Sequence, residues 1–175
     1  MSERFVAVSE EEMLNRILYS IESWERVMVV VNTVRRAIEL WKKLRKEGYN
    51  PYLLHGKLTI GDRDSVLRDL KARERWVLVT TQVVEAGVNL SAQYMVTDSA
   101  PPSSLIQRAG RVARFPEDRE GVVIIVKRDP VVYDEDTCKR ALDEINKAKS
   151  ICWRVPRTTK GLGYQDLLNK VGEVK

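Results

Sequence analysis

"RVMVVVNTVRRAIELWKKLRKEG", residues 26–48, changes its hydrophobic period part-way along. Val27 to Val31 form an unbroken apolar run, which suits a strand covered on both faces. Beyond Asn32-Thr33 the apolar residues recur at helical spacing. Val34, Ala37, Ile38, Trp41 and Leu44 share one side, and Gly48 stands where such a helix would stop. A buried strand followed by an amphipathic helix is one unit of a parallel sheet.

The same alternation extends in both directions. "RFVAV" (4–8), "PYLLH" (51–55), "WVLVT" (76–80), "YMVTD" (94–98) and "GVVIIV" (121–126) are further strand candidates. "SEEEMLNRILYSIESW" (9–24) opens with a capping-box pattern at Ser9 and Glu12 and places Met13, Ile17, Ile21 and Trp24 on one helical face. The expected class is α/β with a mainly parallel central sheet. From about residue 129 the order changes. "YDEDTCKRALDEINKAKSI" (133–151) carries Cys138, Ala141, Leu142, Ile145 and Ala148 at helical spacing, "RVPRTTKGLGY" (154–164) reads as a loop, and a short last helix follows. Residues 1–128 are therefore expected to form the domain proper and 129–175 a helical extension.

The 175 residues suffice for one domain of ordinary size. No apolar stretch has the length of a membrane span, and "MSERFVAVSEEE" lacks a signal-peptide core, so a soluble, cytoplasmic protein is expected. Two cysteines, Cys138 and Cys152, and the single histidine, His55, cannot build a metal knuckle or a disulfide framework. Net charge is +5, compatible with a nucleic-acid partner but not diagnostic of one.

In an open parallel sheet, ligands gather at the carboxyl ends of the strands. Four loops there are candidates. Asn32-Thr33 combines a capping hydroxyl with free amides able to hold a phosphate, or it simply caps a helix. His55-Gly56 and "TQVVEAGVN" (81–89) follow two other strands. "SAPPSSLIQRAGRVAR" (99–114) sets Arg108, Arg111 and Arg114 at intervals of three, either as a solvated basic face or as a cluster aimed at an anion.

Taken together, "VNTVRRA", "LLHGKLTIGDRDSV", "VLVTTQVVEAGVNL" and "LIQRAGRVAR" resemble motifs IV, IVa, V and VI of superfamily 2 helicases, in that order. Their wording is most similar to the CRISPR-associated helicase of type I interference systems. The resemblance implies the second RecA-like lobe of a two-lobed motor, a three-layer α/β/α fold. It implies arginine fingers at Arg111 and Arg114, with Gln107 at the first position of the motif organising the nucleotide. Arg108 occupies a place that is structural or acid-paired in relatives. Gly110 is expected to end the helix and let the chain turn.

By the same resemblance, Gly87, Asn89 and Glu85 lie toward the nucleotide, although Asn89 stands where many relatives have aspartate, which puts its ribose contact in question. Thr33, Asn32, Gly56, Arg63 and Thr81 lie toward the nucleic acid, and Arg63 is equally readable as a surface salt-bridge partner. No G-x-x-x-x-G-K-[ST] occurs, so ATP and Mg2+ would be held mainly by a first lobe with a phosphate-binding loop, and this chain would be inactive alone. Other implied partners are single-stranded DNA, a nuclease domain and an RNA-guided surveillance complex. The contacts are hydroxyls and amides rather than base-edge readers, so binding without sequence preference is expected. The rival readings are a superfamily 2 enzyme of another subfamily acting on RNA or DNA, and a non-catalytic binding module.

Overall fold

The computed structural model describes residues 2–115, 117–118, 120–147, 151–152, 162–163, 169 and 171. The strands are β1 (Ser2–Ser9), β2 (Arg26–Val30), β3 (Tyr52–Leu54), β4 (Trp76–Thr80), β5 (Tyr94–Asp98) and β6 (Glu120–Lys127). Between them run α1 (Glu10–Ser23), α2 (Val34–Lys46), α3 (Ile60–Lys71) and α4 (Pro102–Ala109), and α5 (Glu135–Lys147) follows β6. The six strands form one sheet in the order β1-β6-β5-β2-β4-β3, with every pairing parallel. The fold is the α/β, RecA-like three-layer arrangement.

Alternation along β2 shows why both layers are needed. Val27, Val29 and Val31 pack beneath Met13 and Ile17 of α1 and Ala37, Leu40 and Leu44 of α2. Met28 and Val30 face the opposite core, which contains Leu70 of α3, Leu105 and Ala109 of α4, and Ala141, Leu142 and Ile145 of α5. A strand between two helical layers has no polar face, hence the unbroken apolar run from Val27 to Val31. Trp24, Trp41 and Trp76 all pack against these cores, and Trp41 donates its indole N–H to the Pro51 carbonyl at 2.8 Å.

Local signals are met with two differences. Gly48 adopts φ +95° just past α2, the left-handed stop its position suggested. At α1 the Ser9 hydroxyl donates to the Glu12 carboxylate at 3.1 Å and caps no backbone amide, so the two side chains meet but the expected capping box does not form. The segment expected as a loop at 154–164 contains β8 (Leu162–Gly163), which pairs in parallel with β7 (Ile151–Cys152) as a separate two-stranded sheet. A two-residue strand without alternating apolar residues leaves no periodic signal. Ala148, Trp153 and most of the expected last helix lie outside the described residues. Among those described, no helix is long and apolar enough to cross a membrane, and no cluster of three or more His, Cys, Asp or Glu could hold a metal ion.

One glycine is dictated by packing. A Cβ on Gly121 at the start of β6 would sit 2.4 Å from Val112 Cγ1 and 3.1 Å from Ala113 Cβ, because the chain leaving α4 lies directly against β6. Gly121→Ala is expected to destabilise the fold by about 1–3 kcal/mol through overpacking, measurable as a lowered urea midpoint at unchanged slope.

Candidate functional site

Parallel strands deliver their following loops to one edge of the sheet. From β3 across β4 to β2, that edge carries Gly56, Thr81 and Thr33 in a row. Thr33 caps α2, its Oγ1 accepting from the Arg36 amide at 3.2 Å, which leaves its own hydroxyl proton available to a ligand. Thr81 is buried and opens the one-turn 3-10 helix Gln82–Glu85 without a side-chain cap bond. Gly56 is exposed, and a Cβ there would meet nothing within 4 Å, so a ligand could approach its backbone closely. Arg63 makes a local brace, donating to the Gly56 carbonyl at 2.7 Å and the Leu58 carbonyl at 3.3 Å. Beside it, burial and then the charges of Lys57 and Arg63 lower the pKa of His55 below its ordinary value.

Asn32 is buried and turned inward. Its Nδ2 donates to the carbonyls of Ser99 at 2.8 Å and Pro130 at 3.0 Å, its Oδ1 accepts from Arg108, and its backbone N–H donates to Asp98. Arg108 is the hub of this network and is 0% exposed. Its guanidinium donates to Glu85 Oε2 at 3.0 Å, Thr97 Oγ1 at 3.0 Å, the Asp98 carbonyl at 3.4 Å and Asn32 Oδ1 at 2.9 Å. One buried cation thereby ties α4 to the loops after β2 and β4 and to the end of β5. Asp98 is buried as well, gripped by Arg36 at 3.0–3.2 Å.

The three arginines at intervals of three do not form one helical face, because α4 ends at Ala109. Gly110 caps it at φ −62°, an ordinary right-handed value, and the chain turns instead at Ala113, φ +47°. Arg111 is buried and donates to the carbonyls of Val84 at 3.0 Å and Glu85 at 2.9 Å, so it shapes the loop after β4. Burial first, then the neighbouring charge of Arg114, lowers its pKa from the ordinary arginine value. Arg114 and Gln107 are exposed.

The loop bearing Arg114 is anchored from below. The Ser91 hydroxyl accepts from the amides of Arg114 at 2.9 Å and Phe115 at 3.3 Å and donates to Asp118, which Arg26 pairs with from the start of β2. Asn89 is exposed and lines a cleft with Ser91 and Phe115 at the amino ends of β2 and β4, and Gly87, also exposed, takes φ +70° in the connecting loop. The expected site residues thus fall into two groups: Gly56, Thr81 and Thr33 along the carboxyl edge, and Asn89 with Arg114 around the Ser91 anchor. Glu85 and Arg111 lie between them.

Sequence reasoning missed Asp98, Arg36, Ser91, Asp118 and Arg26. Asp98 did leave a signal, since an acid ending a largely apolar strand between two helical layers requires a buried partner for its charge. Asp118 left none.

Residues 23–117, which hold every residue of both groups, match the family model of the C-terminal part of the CRISPR-associated nuclease/helicase Cas3. The chain belongs to this Cas3-like C-terminal family. A Cas3 from Methanothermobacter thermautotrophicus is 29% identical over 133 residues, 69% of this chain and 15% of its own length. The ATP-dependent RNA helicase Dbp5 of Kluyveromyces lactis is 34% identical over 126 residues, 67% of this chain and 26% of its length. The C-terminal domain of the DEAD-box protein Dbp5 superimposes with a TM-score of 0.60 at 27% identity, covering 73% of this chain and 76% of that one. A chain of a pre-nicking CRISPR RNA-guided surveillance complex shares the fold, with a TM-score of 0.75 at 20% identity over 100% of this chain and 25% of that one. This Cas3-like lobe therefore spans about a quarter or less of the full-length helicases it matches in sequence.

Proposed function

We propose that the chain is the second motor lobe of an ATP-dependent superfamily 2 DNA helicase of CRISPR interference, and that it completes an ATP site carried by a first lobe. The observation that carries this reading is the position of Arg114. It is an exposed residue on a loop anchored through the Ser91 hydroxyl, inside the segment that matches the Cas3 family, in a sequence without a G-x-x-x-x-G-K-[ST] motif. An arginine presented from a facing surface stabilises the charge that spreads over the γ-phosphate oxygens during transfer.

In this reading Arg114 is the finger. Arg111 holds the Val84–Glu85 loop and so positions Gly87 and Asn89 for the nucleotide. Gln107 lies at the lobe interface, while Glu85 couples to strand binding through Arg108. Thr33, Thr81 and the Gly56 backbone grip the strand, and Asn32 and Arg63 hold those loops in place. ATP with Mg2+ is supplied from the first lobe. The nuclease domain and the RNA-guided complex belong to the same proposal, supported by family membership.

The test is ATP hydrolysis with single-stranded DNA, for the chain alone and then mixed with, or fused to, a first lobe bearing the phosphate-binding loop. Activity in the combination only is the expected result. Hydrolysis by the chain alone, or silence of the combination, would refute the half-motor reading. The identity to an RNA helicase favours a second reading in which RNA is the track. Comparing DNA and RNA homopolymers as stimulators separates the two: DNA is expected to stimulate more strongly, and equal or greater stimulation by RNA transfers the proposal to RNA. Strand affinity should also fall as salt is raised, as phosphate contacts require.

A further inference from the structure

The loop after β6 has a feature that the motor assignment does not use. Val131 sits at φ +66°, a left-handed conformation that a β-branched side chain strongly disfavours. The Val132 amide donates back to the Pro130 carbonyl at 2.8 Å, closing a tight three-residue turn with Val131 at its tip. The turn is held from both sides. Asn32 Nδ2 donates to the same Pro130 carbonyl, the Val131 amide donates to Asp129 Oδ1 at 2.9 Å, and Asp134 caps α5 through Thr137. The result is two apolar side chains pushed into solvent, Val131 63% and Val132 55% exposed, while Pro130 before them is buried and Tyr133 after them packs on the core.

Val131 lines the cleft that also contains Thr33, at the mouth of α2. A strand gripped along the row from Gly56 through Thr81 to Thr33, if it continues past the end of β5 toward β6, reaches this tip in the cleft it shares with Thr33. The cleft's charged side chains, Arg35, Arg36 and Arg128 against Glu39, Asp98 and Asp129, cancel three to three. Ionic attraction therefore does not draw a phosphate to the tip, and what it offers is apolar surface. Bases and sugars present apolar faces to such a wedge. Two valines are far too small an area for a stable protein interface of about 800 Å2 per partner.

We propose that Val131 and Val132 form an apolar wedge that packs against a base of the single strand held at Thr33 and unstacks it from its neighbour. The proposal rests on the strand-gripping role given above to the Thr33 row. The test uses the whole chain and a labelled DNA oligonucleotide carrying 2-aminopurine, whose emission rises on unstacking. Wild type is expected to bind and raise the emission. Val131→Gly relaxes the positive φ, so its melting temperature should stay level or rise. Its affinity should nevertheless fall by about threefold or more, and the emission rise should disappear. Val131→Asp should weaken binding at least as much, and Val131→Gly, which changes no charge, should leave the salt slope unchanged. If wild type binds and Val131→Gly matches it in affinity and emission, the wedge is wrong while the strand grip stands. If wild type binds no strand, the grip itself fails and the wedge with it.

Discussion

Arg114→Ala is expected to abolish strand-stimulated ATP hydrolysis in the two-lobe enzyme, by about 10³-fold or more in rate, while leaving strand affinity unchanged and costing less stability than Arg111→Ala. The size follows from what an arginine finger contributes when it meets transferring phosphate. The selectivity follows from geometry: Arg114 is exposed, and the bonds that anchor its loop use its backbone amide, which alanine keeps. Arg111→Ala should behave differently. Its guanidinium holds two loop carbonyls from a buried position, so removing it should lower both activity and stability. Parallel measurements of turnover and thermal unfolding on the two variants separate a group that meets the nucleotide from one that shapes the loop. Equal losses of stability in both, or an Arg114→Ala enzyme with near-normal turnover, would remove Arg114 from the catalytic role.

Arg108→Ala is expected to cost about 3–5 kcal/mol of folding stability, the penalty for breaking a buried ion pair by removing one member. Glu85, Thr97 and Asn32 would all lose a donor at once, with Glu85 left charged and largely enclosed. Arg108→Lys should rescue little, because an ammonium cannot reproduce a planar fork spanning four separate acceptors. Urea unfolding of the chain alone reads this directly. A loss below about 1 kcal/mol would show that the network contributes only surface-like pairing. In the assembled motor the same variant should uncouple strand binding from hydrolysis, because Arg108 joins the loop carrying Thr33 to the loop carrying Glu85.

Burial of the polar residues explains how much of the site was legible beforehand. Gly56, Thr33 and Thr81 could be placed at one edge because parallel strands carry their loops there whatever the details. Asn32 was equally well placed along the chain, but its orientation was not legible: a short amide can cap, bind or brace, and here three side-chain partners, Ser99, Pro130 and Arg108, turn it inward. Arg63 proved to brace its own loop because the Gly56 and Leu58 carbonyls lie within its reach and, among the described residues, no carboxylate pairs with it. The anchor of Ser91, Asp118 and Arg26 joins positions 26, 91 and 118, a separation that no local pattern encodes.

By itself the sequence determined the alternation of strands and helices. Sandwiching a sheet between two helical layers demands unbroken apolar runs, and each covering helix must keep a single apolar face; both are local patterns that survive in one dimension. It also determined the helicase C-terminal family, through four ordered motifs. Only the tertiary structure decided what each arginine of the last motif does. Spacing by three suggested one shared face, but α4 stops at Ala109 and Ala113 turns the chain with φ +47°. Arg108 therefore enters the core, Arg111 braces a loop and Arg114 faces outward. Where a cation points is settled by which buried carbonyls and carboxylates the rest of the fold brings within reach, and those come from strands far apart along the chain.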